Sequence, residues 1–389
     1  MSTAVLIILD GMGVGEAPDA AEYGDEGTNT FVNMSNVVEG ITTPTLESLG
    51  LGNIADIRGV STVSKPRASH GRLEEISSGK DSTTGHWELM GVVTETPYPT
   101  YPNGFPDDVL EAFTQQTGYG VIGNIAASGT QIIEDLGDEH LATGKLIVYT
   151  SADSVFQIAA HDQVCDIDEL YRVCDIARNL LRGEHNVSRV IARPFTGPMG
   201  NYERTPYRRD YSVSPPESML LNSFQSSGIQ VETIGKIYDL YNGMGVDISH
   251  ASKSNAEGMK ILEQVYNAEH DKPRMLLLNL VDFDMLWGHR NDPHGMKQGL
   301  EIFDAWLAEF LAQMQEGDLV MLTADHGNDP TGTSTDHSRE HVPLIAYKQG
   351  SHNGQDIGIR KGFMDVAATY AEYFGYDYQG PGVSFYNQI

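Results

Sequence analysis

Three aspartates and three histidines stand out because they sit at or just beyond apolar runs of strand length. Asp10 ends the run 4–9, Asp284 and His289 follow 275–281, and Asp325 and His326 follow 319–323, with His337 shortly after. Carboxylates and neutral imidazoles suit hard-to-borderline divalent cations such as Mn²⁺ and Zn²⁺, and together these side chains are enough for two. Two cations side by side are an apparatus for phosphoryl transfer: one activates the attacking oxygen, and both carry the charge spread over the phosphoryl oxygens. A further stretch, Lys80-Asp81-Ser82-Thr83-Thr84-Gly85-His86-Trp87, supplies the hydroxyls that a phosphorylated nucleophile would need. Each residue alone has a plainer role. An Asp after a strand often caps the next helix, and an isolated His is more often structural than a ligand. Capping does not explain Asp325-His326-Gly327-Asn328 followed so soon by Thr335-Asp336-His337-Ser338.

Residues this far apart meet only if the elements between them bring them together. Strand-length apolar runs alternate with helical patterns, which predicts an α/β fold with a mostly parallel sheet between helices. Strand ends in such a sheet converge on one edge. Leu300, Phe303, Leu307, Phe310 and Met314 recur at helical spacing with Glu301, Asp304, Glu309 and Gln313 between them, and 256–267 and 364–374 read as further helices. No metal-type pattern lies between Gly91 and about residue 280. That gap holds expected strands at 146–150 and 187–192 and a helix around 167–181, between the proline-rich stretches 97–102 and 206–216. Proline stiffens a chain and breaks central strands and helices. Residues 96–216 are therefore expected to form an inserted, smaller α/β cap domain, with 1–95 and 217–389 closing one metal-binding catalytic core.

At 389 residues and 40% hydrophobic content, the chain can bury a sizeable core. Its 54 acidic against 25 basic residues give a net charge of −29. That balance reads as a strongly hydrated surface and argues against a nucleic-acid partner; globally it also opposes anionic substrates. Cys165 and Cys174, the only cysteines, fit neither a zinc pair nor a disulfide framework. No run reaches the roughly 18 apolar residues of a membrane span, and the run 4–9 is too short for a signal segment. The expected location is the cytoplasm.

Several longer segments carry a resemblance: Gly15-Glu16-Ala17-Pro18-Asp19-Ala20, Gly79-Lys80-Asp81-Ser82-Thr83-Thr84-Gly85-His86-Trp87-Glu88, Tyr149-Thr150-Ser151-Ala152-Asp153-Ser154-Val155, Ile191-Ala192-Arg193-Pro194-Phe195, Gly235-Lys236-Ile237, Asn279-Leu280-Val281-Asp282-Phe283-Asp284 with Gly288-His289-Arg290, and Ala324-Asp325-His326-Gly327-Asn328-Asp329-Pro330. Nearly end to end, the chain resembles the phosphopentomutases of the alkaline phosphatase superfamily. Asp-His-Gly marks only the superfamily; the Lys80–Glu88 and Ser151–Ser154 segments together mark the mutase.

The resemblance implies an alkaline-phosphatase-like core and two Mn²⁺ ions, one held by Asp10, Asp325 and His326 and the other by Asp284, His289 and His337. It places the nucleophile at Ser82, where the family carries threonine, with Thr83 as the fallback. Serine keeps the hydroxyl and loses a methyl, and the related cofactor-independent phosphoglycerate mutases use serine. Ser82 and Thr84 would also suit helix capping, and a phosphoryl group there would gain from free backbone N–H groups. The implied reaction interconverts ribose 1-phosphate and ribose 5-phosphate, and the 2-deoxyribose pair, through a phosphoenzyme and a 1,5-bisphosphate. Glucose 1,6-bisphosphate or ribose 1,5-bisphosphate would prime it. Ser151, Asp153 and Ile191 match positions near the sugar, and Lys236 a position suited to a phosphate. Arg193 and Arg204 are candidate phosphate clamps, although Arg193-Pro194 reads equally as a turn. The rival readings are a phosphoglycerate mutase or phosphatase of the same superfamily and, more remotely, a non-catalytic metal-binding protein.

Overall fold

The segment Thr3–Leu9 is aliphatic apart from Thr3 and buried at every position. A strand with no polar face must lie inside a sheet covered on both sides. In the computed structural model, which describes residues 2–151, 154–351 and 354–389, it is an inner strand of an eight-stranded sheet. The order is Ile248–His250, Gln230–Ile234, Arg274–Leu280, Thr3–Leu9, Leu319–Thr323, Val342–Lys348, Ser69–Glu74 and Asp356–Lys361. Arg274–Leu280 and Leu319–Thr323 flank Thr3–Leu9 and run parallel to it, with Leu9 opposite Leu280 and Ile8 opposite Thr323. The chain therefore leaves all three strands at one edge. Only Val342–Lys348 runs antiparallel to its neighbours among the described strands of this sheet.

By its contacts the chain divides into two units, residues 1–96 with Pro215–Ile389, and Pro97–Ser214. The first carries the eight-stranded sheet. In its longest described helix, Pro293–Gln313, Asp292 caps the start by accepting from Gly295 N–H, and Pro293 opens the first turn, where its missing N–H costs nothing. Met296, Leu300, Phe303, Leu307 and Phe310 are buried at helical spacing. Asp304, which the pattern places among the polar residues, is buried too. Its carboxylate accepts from Thr45 N–H at 3.1 Å and Leu46 N–H at 2.7 Å, satisfying the start of the Pro44–Leu49 helix.

The second unit holds its own sheet, in the order Val121–Ala126, Leu146–Thr150, Val155–His161, Arg189–Thr196 and Glu203–Arg204, with Arg209–Ser212 also pairing to Arg189–Thr196. Side chains alternate between two small cores. Phe156, Ile158 and Ala160 pack with Phe113, Leu170 and Cys174 on one face; Ala159 and Phe195 pack with Ile132 and Tyr202 on the other. Arg193 and Pro194 lie inside a strand, which removes the turn reading.

The Ser82–Leu89 helix is buried from Thr83 onward. Glu88 anchors it by accepting from the N–H groups of Ile76, Ser77 and Phe363. Gly85 lets it pack directly on the turn after Leu319–Thr323, where an added Cβ would lie 2.0 Å from the Asp325 carbonyl oxygen. Gly85→Ala should therefore lower stability by about 1–3 kcal/mol through overpacking, read as a fall in the urea midpoint. An unchanged midpoint would contradict this backbone contact.

Candidate active site

The sheet edge gathers the acidic residues. Asp10 follows Thr3–Leu9 directly, and Asp325 and His326 lie just past Leu319–Thr323. Beyond Arg274–Leu280 the chain forms a π-helical segment, Phe283–Gly288, and His289 N–H bonds to the Asp284 carbonyl at 2.9 Å. Such wide turns are rare and cluster at functional sites. Asp10, Asp325 and His326 offer ligand atoms within 4.8 Å of one another, as do Asp284, His326 and His337. His289 Nε2 lies 3.2 Å from Asp284 Oδ2, and His337 Nε2 lies 3.4 Å from Asp284 Oδ1. All six expected residues meet, and His326 reaches both halves of the cluster rather than one.

The donor set fits divalent cations. Each histidine turns Nδ1 toward a backbone carbonyl: His289 to Thr335 at 2.6 Å, His326 to Gly327 at 3.1 Å, His337 to Lys80 at 3.0 Å. In the neutral ring this puts the proton on Nδ1 and leaves the Nε2 lone pair facing the carboxylates, the arrangement found in metal-ligating histidines. Asp10 Oδ1 is buried without a hydrogen-bond partner among the described residues, a costly state that a cation would relieve; Asp325 Oδ2 and His337 Nε2 are equally buried and face His86 and Asp284, at 3.1 and 3.4 Å.

The electrostatics show the same strain. Burial, followed by the nearby Asp325 carboxylate, pushes Asp10 up to about 7 despite Lys236. Burial would also raise Asp325, but His326, His86 and Lys236 outweigh it and hold that carboxyl well below the usual range. Asp284 is likewise depressed, its burial overcome by His337 and His289. Burial drives His326 down to about 4, so it is neutral near pH 7. His337 goes the other way: Asp284 overcomes burial and lifts it to about 9.

Ser82 is the hydroxyl brought to this cluster. Its Oγ lies 3.1 Å from His326 Nε2 and accepts from Lys236 Nζ at 2.9 Å; the same ammonium is 2.5 Å from Asp10 Oδ2. Thr83 is buried, and its N–H bonds to Asp81. The helix cap is neither Ser82 nor Thr84 but Asp81, which accepts from Thr83 N–H and Thr84 N–H at 3.0 and 3.2 Å. Those N–H groups are thus already engaged, not free for a phosphoryl group. Lys236, expected at a phosphate, stands at the acidic cluster beside Ser82.

Three side chains quoted only as parts of motifs have roles here. Asn279 Nδ2 donates to Asp10 Oδ2 at 2.9 Å, and Asn328 Nδ2 to Asp284 Oδ1 at 2.7 Å. His86 Nδ1 lies 2.8 Å from the Ser82 carbonyl and 3.1 Å from Asp325 Oδ2. An asparagine near an acid carries no distinctive spacing, so only three-dimensional contact reveals these roles.

In the second unit, Ser151, Ile191 and Arg193 line a cavity of about 350 Å³ together with Gln157, Arg189 and Arg208. Arg193 Nε donates to Gln157 Oε1 at 3.2 Å. Burial lowers the Arg193 pKa, and Arg208 lowers it further. Asp210 offsets part of the charge, 2.7 Å from Arg208 and 3.5 Å from Arg189. Arg204 sits on the exposed Glu203–Arg204 strand; its guanidinium lies against Gly129, which lines the cavity, so that an added Cβ there would be 2.4 Å away. Asp153 lies outside the described residues. Arg189 and Arg208 carry no signal in the sequence, because neither stands in a spacing that marks a binding site.

A parallel-sheet edge bearing three carboxylates and three histidines beside a serine at a helix start defines a metalloenzyme of alkaline-phosphatase-like fold. The family model described as Metalloenzyme superfamily matches residues 2–378. Within that superfamily the chain belongs to the phosphopentomutases. It is 51% identical to the phosphopentomutase of Desulfitobacterium hafniense over 389 residues, covering 100% of both chains. It is 49% identical to that of Clostridium novyi, covering 100% of this chain and 99% of the relative, and 49% identical to that of Dictyoglomus thermophilum with the same coverage.

Loading with a divalent cation should release protons, because ligands bind metal in their deprotonated forms. Before loading, Asp10 and His337 are raised to about 7 and about 9, and the hydrogen bond to Asp284 raises His289 above its ordinary value as well. At pH 6 all three carry a proton that the metal must displace; well above pH 9 none does. Calorimetry in buffers of different ionisation enthalpy should show release falling from about three protons at pH 6 toward zero near pH 10. A pH-independent release would contradict this charge balance.

Proposed function

We propose that this chain interconverts ribose 1-phosphate and ribose 5-phosphate, and the 2-deoxyribose pair, with Ser82 carrying the phosphoryl group in transit. The observation that carries this reading is Ser82 Oγ, 3.1 Å from His326 Nε2 and 2.9 Å from Lys236 Nζ at the acidic sheet edge. Asp10, Asp325 and His326 would hold one cation and Asp284, His289 and His337 the other; the nitrogen and oxygen donors suit Mn²⁺. When bound, the cations supply charge that activates the Ser82 hydroxyl and stabilises the phosphoryl oxygens. Lys236 adds a donor beside Ser82 Oγ, where negative charge builds as the phosphoryl group arrives or leaves. Phosphorylated Ser82 gives its group to the free hydroxyl of a pentose monophosphate, forming the 1,5-bisphosphate, and then takes back the other phosphoryl group. Traces of glucose 1,6-bisphosphate or ribose 1,5-bisphosphate load Ser82 at the outset.

The cavity of the second unit suits a sugar phosphate. Arg189, Arg193 and Arg208 line it, and guanidinium forks pair bidentately with phosphate oxygens. Ser151 and Ile191 would flank the sugar, with Arg204 at the rim and Asp153 accepting from a sugar hydroxyl. A cytoplasmic location would suit an enzyme acting on pentose phosphates.

Two variants test the assignment. After incubation with glucose 1,6-bisphosphate, phosphate should map to Ser82 by peptide mass spectrometry. Ser82→Ala should lose both that label and roughly a thousandfold or more in turnover while still binding metal. Near-normal turnover with phosphate on Thr83 would transfer the role to that residue. His289→Ala should leave about one tightly bound cation per chain by elemental analysis; two would break the proposed ligand grouping.

A further inference from the structure

Arg339 lies two residues past His337 and is almost wholly buried, 2% exposed. All five of its side-chain N–H groups are used. Nε and Nη2 donate to the Asp19 carboxylate at 3.0 and 2.9 Å; Nη1 donates to Glu75 Oε2 at 2.7 Å and the Gly79 carbonyl at 2.6 Å; Nη2 donates to the Glu75 carbonyl at 2.8 Å. The guanidinium also sits 5.1 Å from the centroid of the Tyr23 ring. Its backbone joins the same array: Arg339 N–H bonds to Asp25 Oδ2 at 2.8 Å, Ala17 N–H to the Arg339 carbonyl at 3.0 Å, and Asp25 Oδ2 pairs with Lys80 Nζ at 2.9 Å. Three segments meet there: residues 15–25, loop 75–81 leading into the Ser82 helix, and 337–341. The first contains Gly15-Glu16-Ala17-Pro18-Asp19-Ala20, a motif that makes no hydrogen bond or ion pair to the metal-type residues among the described residues.

We propose that Arg339 is a positioning residue, a latch that pins loop 75–81 to Asp19 and thereby sets where Ser82 and the Lys80 carbonyl stand. That carbonyl receives His337 Nδ1 at 3.0 Å, so one latch governs both the nucleophile and the orientation of a proposed ligand. The two loop carbonyls it holds, Glu75 and Gly79, bracket the loop, and a planar fork fixes direction as well as distance. Burying an ion pair gains little net stability compared with packed apolar side chains. Geometry is what this arrangement supplies. The inference rests on Ser82 as the nucleophile.

The test is Arg339→Gln in the full-length, metal-loaded enzyme. Turnover should fall about a hundredfold, as for an ångström-scale misplacement of a reacting group, while KM and bound metal stay within about twofold. Amide exchange over residues 76–82 should speed up by about tenfold or more, with the Thr3–Leu9 strand unaffected. Arg339→Lys, which keeps the charge without the fork, should recover roughly a tenth of normal turnover. Should Arg339→Gln fail to fold, Asp19→Asn at a partly exposed position should give the same split more mildly. Arg360→Gln breaks a 2.7 Å ion pair to Asp365 in the same unit and should leave turnover unchanged. Turnover within about threefold of normal in Arg339→Gln, or a loss matched by loss of metal, would overturn the latch. Because amide exchange needs no substrate, a wild-type enzyme carrying phosphate on Thr83 would sink the Ser82 assignment while exchange still decides the latch.

Discussion

Three carboxylates brought together in a buried pocket repel one another, and much of this site answers that repulsion. The sheet imposes the arrangement: Thr3–Leu9 pairs in parallel with Arg274–Leu280 and Leu319–Thr323, so Asp10, Asp284 and Asp325 emerge at one edge. Burying an isolated carboxylate is expensive, and burying three is possible only against positive charge. Lys236 and His337 supply it on the protein's side, and Asn279 and Asn328 donate to the same Asp10 and Asp284 oxygens. Divalent cations do so more completely, which explains why unsatisfied oxygens and nitrogens of these very side chains point inward. A site strained without its metals gains affinity for them.

The charge of the whole molecule opposes anionic substrates, yet distance resolves the conflict. Exposed charges are screened beyond roughly 8–10 Å at physiological ionic strength. The acidic surface behind the net charge of −29 therefore has little reach, whereas Arg189, Arg193 and Arg208 line a single cavity with Asp210 offsetting part of their charge. Locally the field favours an anion.

The parts legible in the sequence were those with a periodic or positional signature. Strand runs followed by Asp and His disclosed the sheet edge, and long apolar periodicity disclosed the Pro293–Gln313 helix. What stayed hidden depends on contacts that spacing does not encode. The π-helical turn around Asp284 looks like any other helix start. Asp81 rather than Ser82 caps its helix because the carboxylate, and not the hydroxyl, meets Thr83 N–H and Thr84 N–H. Asp304 faces inward because a second helix needs an acceptor at its start, a demand set more than 250 residues away. The ion pair of Lys236 with Asp10 is equally silent in the spacing, because the two residues lie on different strands' ends.

The most direct test follows ribose 1-phosphate and free phosphate in one tube, with purified enzyme, Mn²⁺ and a trace of glucose 1,6-bisphosphate. Conversion to ribose 5-phosphate with negligible phosphate release is the expected result for a phosphoenzyme mutase. Phosphate release without isomerisation would make the enzyme a phosphatase and contradict transfer through Ser82 to a second sugar hydroxyl.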